Sequence, residues 1–199
     1  MNKNVIAVVG ETDSGKTTIA EIFRSRGYTS FSGGNILRDI AVTFGIDQET
    51  ETLIRMGNKL REVFGPEILM RAARLQYESI GGERLLFESI RHPEEVRFLK
   101  EGLGAYVVGV TMSDQRRFEL MKDRRRAGDP RTWEEFIDFK RREYDNPEAK
   151  QTDVNVAACL RFADIIIPNE GTLADLELRV DEIVANRGLI EGLSGKERA

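Results

Sequence analysis

The sequence predicts an α/β fold in which five parallel strands form a sheet covered by helices. Three observations support this prediction. Short apolar runs rich in β-branched residues alternate with segments of helical periodicity, the pattern of a parallel sheet flanked by helices. A glycine-rich segment directly follows the first apolar run. The chain has 199 residues, a length that suits one domain with a buried core.

The strands are predicted from their apolar runs. The first covers residues 4–9, NVIAVV, a mostly apolar run that suits a parallel strand buried on both faces. The others are predicted at residues 28–31, 84–88, 106–111 and 164–168.

The segment GETDSGKTT, residues 10–18, has the spacing of a phosphate-binding loop. Gly10 and Gly15 would free the backbone to curl, so that consecutive amide groups converge on the β-phosphate of a nucleotide. Lys16 would reach the β- and γ-phosphate oxygens, and the Thr17 hydroxyl would ligate Mg²⁺. A helix predicted over residues 16–27, which ends at Gly27, adds the positive end of its dipole. The residues predicted to bind the nucleotide are Gly10, Glu11, Thr12, Asp13, Ser14, Gly15, Lys16, Thr17 and Thr18.

The alternative interpretation is a glycine-rich turn that has no ligand. It is disfavoured because strand, loop and helix follow one another in the order that a phosphate loop requires.

Two long segments interrupt the alternation of strands and helices. Residues 34–80 have the apolar spacing of three helices, over 34–45, over 48–64 and after Gly65-Pro66, where a plain crossover needs one. Residues 114–151 carry many charges of both signs and are broken by AGDP, which predicts two exposed helices and a turn that could close over a site. The last residues, 188–199, have little periodicity and are predicted to form a loose tail.

Composition excludes several classes of function. The net charge of −4 disfavours a protein that wraps nucleic acid non-specifically. The single cysteine, Cys159, cannot form an internal disulfide, and the single histidine, His92, makes a structural zinc site unexpected. His92 is instead predicted to cap the next helix. No stretch has the pattern of a signal peptide or a membrane span, so a cytoplasmic protein without a membrane or nucleic-acid partner is expected.

Three segments carry a resemblance to known kinases. SFSGGNILRDI, residues 30–40, resembles the segment of nucleoside monophosphate kinases that contacts the acceptor nucleotide, and it places Arg38 on their arginine. LLFESIRHPEEV, residues 85–96, resembles the end of their third strand and places Glu88 and Arg91. RFADIIIPNEGTLADLELRVDEIV, residues 161–184, resembles the end of dephospho-CoA kinases instead.

Over residues 1–187 the chain is most similar to small, largely archaeal P-loop proteins described as adenylate-kinase-like or dephospho-CoA-kinase-like. This resemblance implies a single domain with the three-layer P-loop kinase fold, which uses ATP and Mg²⁺. Residues 34–80 would be the acceptor-binding insertion, and residues from about 115 to 148 would be a lid.

The sequence departs from both kinase patterns at the acceptor segment. Asn35 and Gly33 replace an aspartate and a threonine of the nucleoside monophosphate kinase pattern. In dephospho-CoA kinases an aspartate after the second strand is expected to act on the acceptor hydroxyl, and Asn35 cannot accept that proton. Glu88 or Asp39 would have to do so. A phosphate acceptor needs no strong base, because its oxygen is already anionic at neutral pH.

The arginines are predicted to neutralise charge on the transferring phosphoryl group, since one planar guanidinium group can bind two phosphate oxygens at once. Arg38 and Arg91 are the predicted acceptor-side residues, with Arg61 a third. Arg116 is predicted to flank the base of the donor nucleotide. The residues predicted to be catalytic are Lys16, Arg38, Arg91, Arg124, Arg125 and Arg126, the last three on the lid. For the lid arginines, the alternative is a solvated charged face with weak salt bridges.

Glu88 is predicted to hold Mg²⁺ through water, with helix capping as the alternative. The predicted activity is ATP-dependent phosphoryl transfer to a nucleoside monophosphate or a related nucleotide, and dephospho-CoA is the alternative acceptor. A different class also remains open, that of a nucleotide-gated binding or regulatory protein without efficient transfer.

Overall fold

The structure, a computed structural model, describes residues 4–124, 129–144 and 155–194. Its five strands are all parallel and lie in the order β2-β3-β1-β4-β5. They are β1 (Asn4–Gly10), β2 (Thr29–Ser32), β3 (Arg84–Glu88), β4 (Tyr106–Thr111) and β5 (Ile165–Pro168). The predicted parallel sheet is therefore confirmed, and each strand lies within one residue of its predicted bounds.

The helices follow the predicted alternation. They are α1 (Lys16–Ser25), α2 (Gly33–Thr43), α3 (Thr50–Phe64), α4 (Ile68–Ile80), α5 (Pro93–Leu103), α6 (Asp114–Arg124), α7 (Trp133–Tyr144), α8 (Val156–Leu160) and α9 (Leu173–Ser194). Helices α2, α3 and α4 are the three expected between the second and third strands. His92 lies directly before α5 as its N-cap, as predicted.

Helix α9 continues to Ser194, whereas the sequence analysis predicts a tail from residue 188. The segment contains no proline, and Gly188 and Gly192 each lower helix propensity by about 1 kcal/mol without ending a helix. Residues 195–199 of the predicted tail lie outside the described residues.

Strand β1 separates two apolar cores. Its alternate side chains point to opposite faces of the sheet, so Val5 and Ala7 pack in one core and Ile6 and Val8 in the other. The first core is closed mainly by α2, α4, α5 and α8, and the second by α1 and α9. Burial on both faces explains why this strand is a continuous apolar run and not an alternating one.

Helices α6 and α7 share a small aromatic core. The rings of Phe118, Trp133 and Phe136 lie 5.3 to 5.7 Å apart between centroids, and Phe136 is fully buried. Two exposed helices are predicted here from the charged sequence. The difference arises because these three rings lie on facing sides of the two helices. In the sequence they stand among many charged residues, so their pairing is not apparent there.

Candidate active site

The candidate site lies at the edge of the sheet where all the strands end. Because the strands are parallel, the segments that follow them meet at this edge, as in other open α/β sheets. The central strand β1 ends in the phosphate loop, residues 10–15. The neighbouring strand β3 leads into Ser89 and Arg91, and β5 leads into Asn169.

Gly10 and Gly15 set the shape of the phosphate loop. Their φ angles are +156° and +97°, a region that favours glycine. A Cβ atom at Gly10 would lie 2.3 Å from the carbonyl oxygen of Val110, and one at Gly15 would lie 2.2 Å from the side-chain nitrogen of Asn169. Both glycines are therefore required by contacts as well as by conformation.

The phosphate loop leads directly into helix α1, and the N-terminal end of this helix suits an anion. Helix α1 begins at Lys16, its N-cap is Gly15, and no side chain caps it. The first-turn amide groups of a helix have no partner within the helix, and the helix dipole makes this end positive. Thr17 is exposed on this first turn. The loop, the uncapped amides and Lys16 together fit the phosphates of a nucleotide.

The ammonium group of Lys16 donates a hydrogen bond to the carbonyl oxygen of Glu11, within the loop itself. It therefore lies where it could exchange that carbonyl for phosphate oxygens.

The outer side of the phosphate loop is held by two residues that the sequence analysis missed. Arg117 donates to the carbonyl oxygen of Thr12 at 2.9 Å and to the carboxylate of Glu11 at 2.7 Å. Asn169 donates from its side-chain amide to the carbonyl oxygen of Ser14 at 3.1 Å. The Asn-x-Gly pattern at residues 169–171 marks a turn in the sequence, but it does not show that the turn faces the loop.

Arg116 lies next to the loop after β5, where its guanidinium group donates to the carbonyl oxygen of Gly171 at 3.2 Å. Its predicted role beside the donor base stays a prediction.

A cleft of about 340 Å³ brings the predicted acceptor-side arginines together. It lies between helices α2, α3 and α4 and the segment after β3. Its lining residues are Gly33, Gly34, Leu37, Arg38, Leu53, Ile54, Gly57, Asn58, Arg61, Leu69, Ser89 and Arg91. We call this cleft the arginine pocket. Its cationic groups are Arg38, Arg61 and Arg91.

Two partners position these arginines. Arg38 donates to the side-chain oxygen of Asn35 at 3.1 Å, so the residue that replaces the expected aspartate holds an arginine of the pocket. Arg61 is buried and pairs with the buried carboxylate of Glu95 at 3.0 Å. The other oxygen of Glu95 accepts from the backbone amides of Arg91 and His92 at 3.1 and 3.2 Å.

Burial raises the pKa of the Glu95 carboxyl, and the charge and hydrogen bonds of Arg61 oppose that rise. Glu95 thus joins α3 to the segment that carries Arg91. Glu95 is not distinguished in the sequence, because it is one of many charged residues on a helix.

Glu88, the predicted carboxylate near Mg²⁺, pairs with Arg24 at 2.8 Å and accepts a hydrogen bond from the hydroxyl of Ser30. Its bonds therefore run to α1 and β2, whereas the N-cap of α5 is His92. Within the described residues, no group of three or more His, Cys, Asp and Glu could hold a metal ion. A Mg²⁺ ion bound by the Thr17 hydroxyl and nucleotide phosphates needs no such group, because Mg²⁺ keeps several waters.

Of the predicted lid arginines, Arg124 contacts the phosphate loop. It donates to Asp13 at 2.6 Å and pairs with Asp129 at 2.8 Å. The hydrogen bonds that Arg124 donates to the carboxylate of Asp129 are the main cause that raises the pKa of Arg124. Arg125 and Arg126 lie outside the described residues.

The parallel sheet, the phosphate loop after its central strand and the helices on both faces define a P-loop kinase fold. The chain belongs to the UPF0200 family. A UPF0200 protein of Hyperthermus butylicus is 31% identical over 181 residues, which cover 91% of this chain and 93% of the relative. A UPF0200 protein of Pyrobaculum aerophilum is 30% identical over 183 residues, which cover 91% of this chain and 97% of the relative. No family model matches the chain.

Solved structures agree on the fold. TT1252 from Thermus thermophilus superposes with a TM-score of 0.54 and 19% identity, over 94% of this chain and 98% of that chain. A shikimate kinase from Bacteroides thetaiotaomicron superposes with a TM-score of 0.53 and 13% identity, over 92% and 98%. At these identities the likeness establishes the P-loop kinase fold, and the nucleoside monophosphate kinase subgroup stays a prediction. No helix in the described part of the chain has the length and apolar character needed to span a membrane.

Proposed function

We propose that this protein transfers the γ-phosphoryl group of Mg·ATP to a small acceptor that carries a phosphate group, a nucleoside monophosphate or a closely related nucleotide. The observation that carries the proposal is the arginine pocket. Arg38, Arg61 and Arg91 line one cleft, and the segment of Arg91 follows the strand next to the one that ends in the phosphate loop.

The chemistry of the arginine pocket supports a phosphate-bearing acceptor. One guanidinium group can bind two phosphate oxygens, and Arg38 and Arg91 add positive charge to the cleft beyond that of Arg61, which Glu95 balances. This charge favours an anionic group such as a phosphate. The same cleft is also lined by the apolar side chains of Leu37, Leu53 and Ile54, which suit a base or another flat apolar group. An acceptor that carries both a phosphate and an apolar group matches this mixed lining.

The donor side would be held by the phosphate loop. Its amide groups and Lys16 would bind the β- and γ-phosphates, and the Thr17 hydroxyl would bind the Mg²⁺ ion that neutralises part of their charge. Arg124 already contacts the loop through Asp13, and it would supply a further guanidinium group beside the transferring oxygens. The residues thus align two anionic substrates and reduce the repulsion between them.

The alternative acceptor, the hydroxyl of dephospho-CoA, is less well supported. A hydroxyl acceptor needs a base that takes its proton, and the two candidates predicted from the sequence are the carboxylates of Asp39 and Glu88. Asp39 lines a separate groove together with Ile40 and Phe44. Glu88 is bonded to Arg24 and Ser30. Asn35, which replaces the expected aspartate, holds Arg38 instead.

The test is an acceptor screen in which ADP release from Mg·ATP is measured with a coupled assay. We expect ADP release with one or more nucleoside monophosphates or deoxynucleotides, and none from the Lys16→Ala variant, whose fold should be intact. Phosphorylation of dephospho-CoA alone would favour the alternative acceptor. If every acceptor stays unphosphorylated although Mg·ATP binds, the protein is better assigned as a nucleotide-gated binding or regulatory protein than as a kinase.

A further inference from the structure

We propose that Arg117 is a positioning residue that fixes the outer side of the phosphate loop and couples helices α6 and α7 to nucleotide binding. The inference rests on the proposed function only in that the loop binds a nucleotide.

A phosphate loop needs donors on its outer side. When its amide groups face the phosphates, carbonyl oxygens of the same peptide units face away and must be satisfied elsewhere. Arg117 supplies this bond to Thr12 at 2.9 Å. Its guanidinium group also donates to the carboxylate of Glu11, the residue directly before Thr12 in the loop, at 2.7 Å. One planar side chain therefore fixes two consecutive residues of the loop.

The environment of Arg117 makes this contact rigid. Its side chain is 0% exposed, so its charge depends on the carboxylates of Glu11 at 2.7 Å and Asp114 at 3.6 Å. A buried charge that loses its partner is costly, so the side chain cannot leave the loop without disrupting the site.

The same side chain reaches the second helix of the charged segment. The guanidinium carbon of Arg117 lies 5.4 Å from the centroid of the Phe136 ring. Phe136 in turn stacks on Trp133, at 5.3 Å between centroids. Arg117 thus connects the phosphate loop to the aromatic core of α6 and α7. Arg124, two helical turns further along α6, contacts Asp13 of the same loop.

The chain contains a single tryptophan, and it is Trp133. Its fluorescence therefore reports on the aromatic core with no other tryptophan to obscure the signal. If Arg117 transmits the state of the loop, a nucleotide bound to the loop changes the fluorescence of Trp133.

The experiment is a titration with Mg·ADP, followed by calorimetry for affinity and by the fluorescence of Trp133. We expect the wild-type protein to bind Mg·ADP with a change in fluorescence. Arg117→Met should weaken binding by about tenfold or more and lose the fluorescence change even at saturating Mg·ADP. Arg117→Lys should restore binding partly, because it returns the charge without the planar fork.

The matched control is Arg26→Met, which removes a partly exposed arginine that pairs with Asp181 and joins α1 to α9. This variant should keep both the affinity for Mg·ADP and the fluorescence change. If Arg117→Met does not fold, Arg117→Lys carries the test, with weaker binding and a reduced fluorescence change expected.

An Arg117 variant that folds and matches the wild-type protein in both affinity and fluorescence change would overturn the proposal, as would a wild-type protein that binds Mg·ADP without a fluorescence change. Because neither measurement involves an acceptor, a protein that phosphorylates nothing would overturn the proposed function and leave this inference intact.

Discussion

The side-chain amide of Asn169, directly after β5, lies 3.1 Å from the carbonyl oxygen of Ser14 in the phosphate loop and donates a hydrogen bond to it. The backbone of Asn169 is itself fixed, because its amide donates to the carbonyl oxygen of Thr111 at 2.8 Å. The amide nitrogen of the side chain occupies the space that a Cβ atom at Gly15 would need. Asn169, held at the edge of the sheet, therefore leaves no space for a Cβ atom at position 15, and only glycine fits there.

Gly15→Ala should abolish Mg·ADP binding and lower the free energy of unfolding. The new methyl group would displace Asn169, and alanine would be strained at a φ of +97°. Gly27→Ala is the matched control, since Gly27 has a φ of +83° and no atom within 4 Å of the added Cβ. It should cost about 1 kcal/mol from conformation alone and leave binding unchanged. Urea unfolding and calorimetry measure the two effects. Equal Mg·ADP affinity in the two variants would contradict the steric argument.

The sequence predicted the elements of the sheet and the phosphate loop because these depend on local patterns. A strand buried on both faces leaves a continuous apolar run, and the loop has a fixed spacing between Gly10 and Lys16. Arg38 and Arg91 could be assigned to one region because each follows a strand that ends at the same edge. The structure brings both into the arginine pocket.

The partners of these residues could not be predicted in the same way. Arg117 and Asn169 reach the phosphate loop from the far half of the chain, and nothing local distinguishes Arg117 from Arg116 beside it. Glu95 is buried while Glu94 next to it is not, and only the packing of α5 against the rest of the domain decides which of the two points inward. Such contacts depend on tertiary structure, for which a single sequence gives no periodic signal.

Arg38→Ala and Arg91→Ala should each weaken binding of the acceptor more than binding of the donor nucleotide. Each removes a charge-assisted contact worth about 1.5–3 kcal/mol, or roughly tenfold to more than a hundredfold in binding. Lysine at either position should rescue binding only partly, because it lacks the planar fork. Michaelis constants for the acceptor and for ATP check the result. Unchanged acceptor affinity in both alanine variants would remove the arginine pocket as the acceptor site.

The thiol of Cys159 should be unreactive in the folded protein. Burial raises the pKa of this thiol, and the charge of Glu95 raises it further, so the reactive thiolate is scarce. Cys159 is also fully buried, beyond the reach of a reagent. An aromatic disulfide reagent should therefore release its chromophore only as urea unfolds the protein, in step with the loss of circular dichroism. Rapid release from the folded protein would show that this core opens locally.

The buried pair Arg61–Glu95 should be essential to stability as a pair. Glu95→Gln leaves the guanidinium group of Arg61 buried without its counter-charge and should lower the free energy of unfolding by about 3–5 kcal/mol. Helix α3 offers a matched control, because Lys59 and Glu62 form an ion pair with side chains 70% and 62% exposed. Glu62→Gln should change stability by about 0.5 kcal/mol or less. Urea unfolding compares the two variants directly.

The double variant Arg61→Met/Glu95→Gln separates the structural role of the pair from its role in binding. Removal of both charges leaves no unpaired ion, so much of the stability lost in Glu95→Gln should return. Acceptor binding should not return with it, because the arginine pocket has lost one of its three guanidinium groups and Glu95 no longer fixes the backbone of Arg91 as an anion. Acceptor Michaelis constants of the single and double variants decide the matter. A double variant that recovers both stability and acceptor affinity would assign Arg61 to the core of the protein alone.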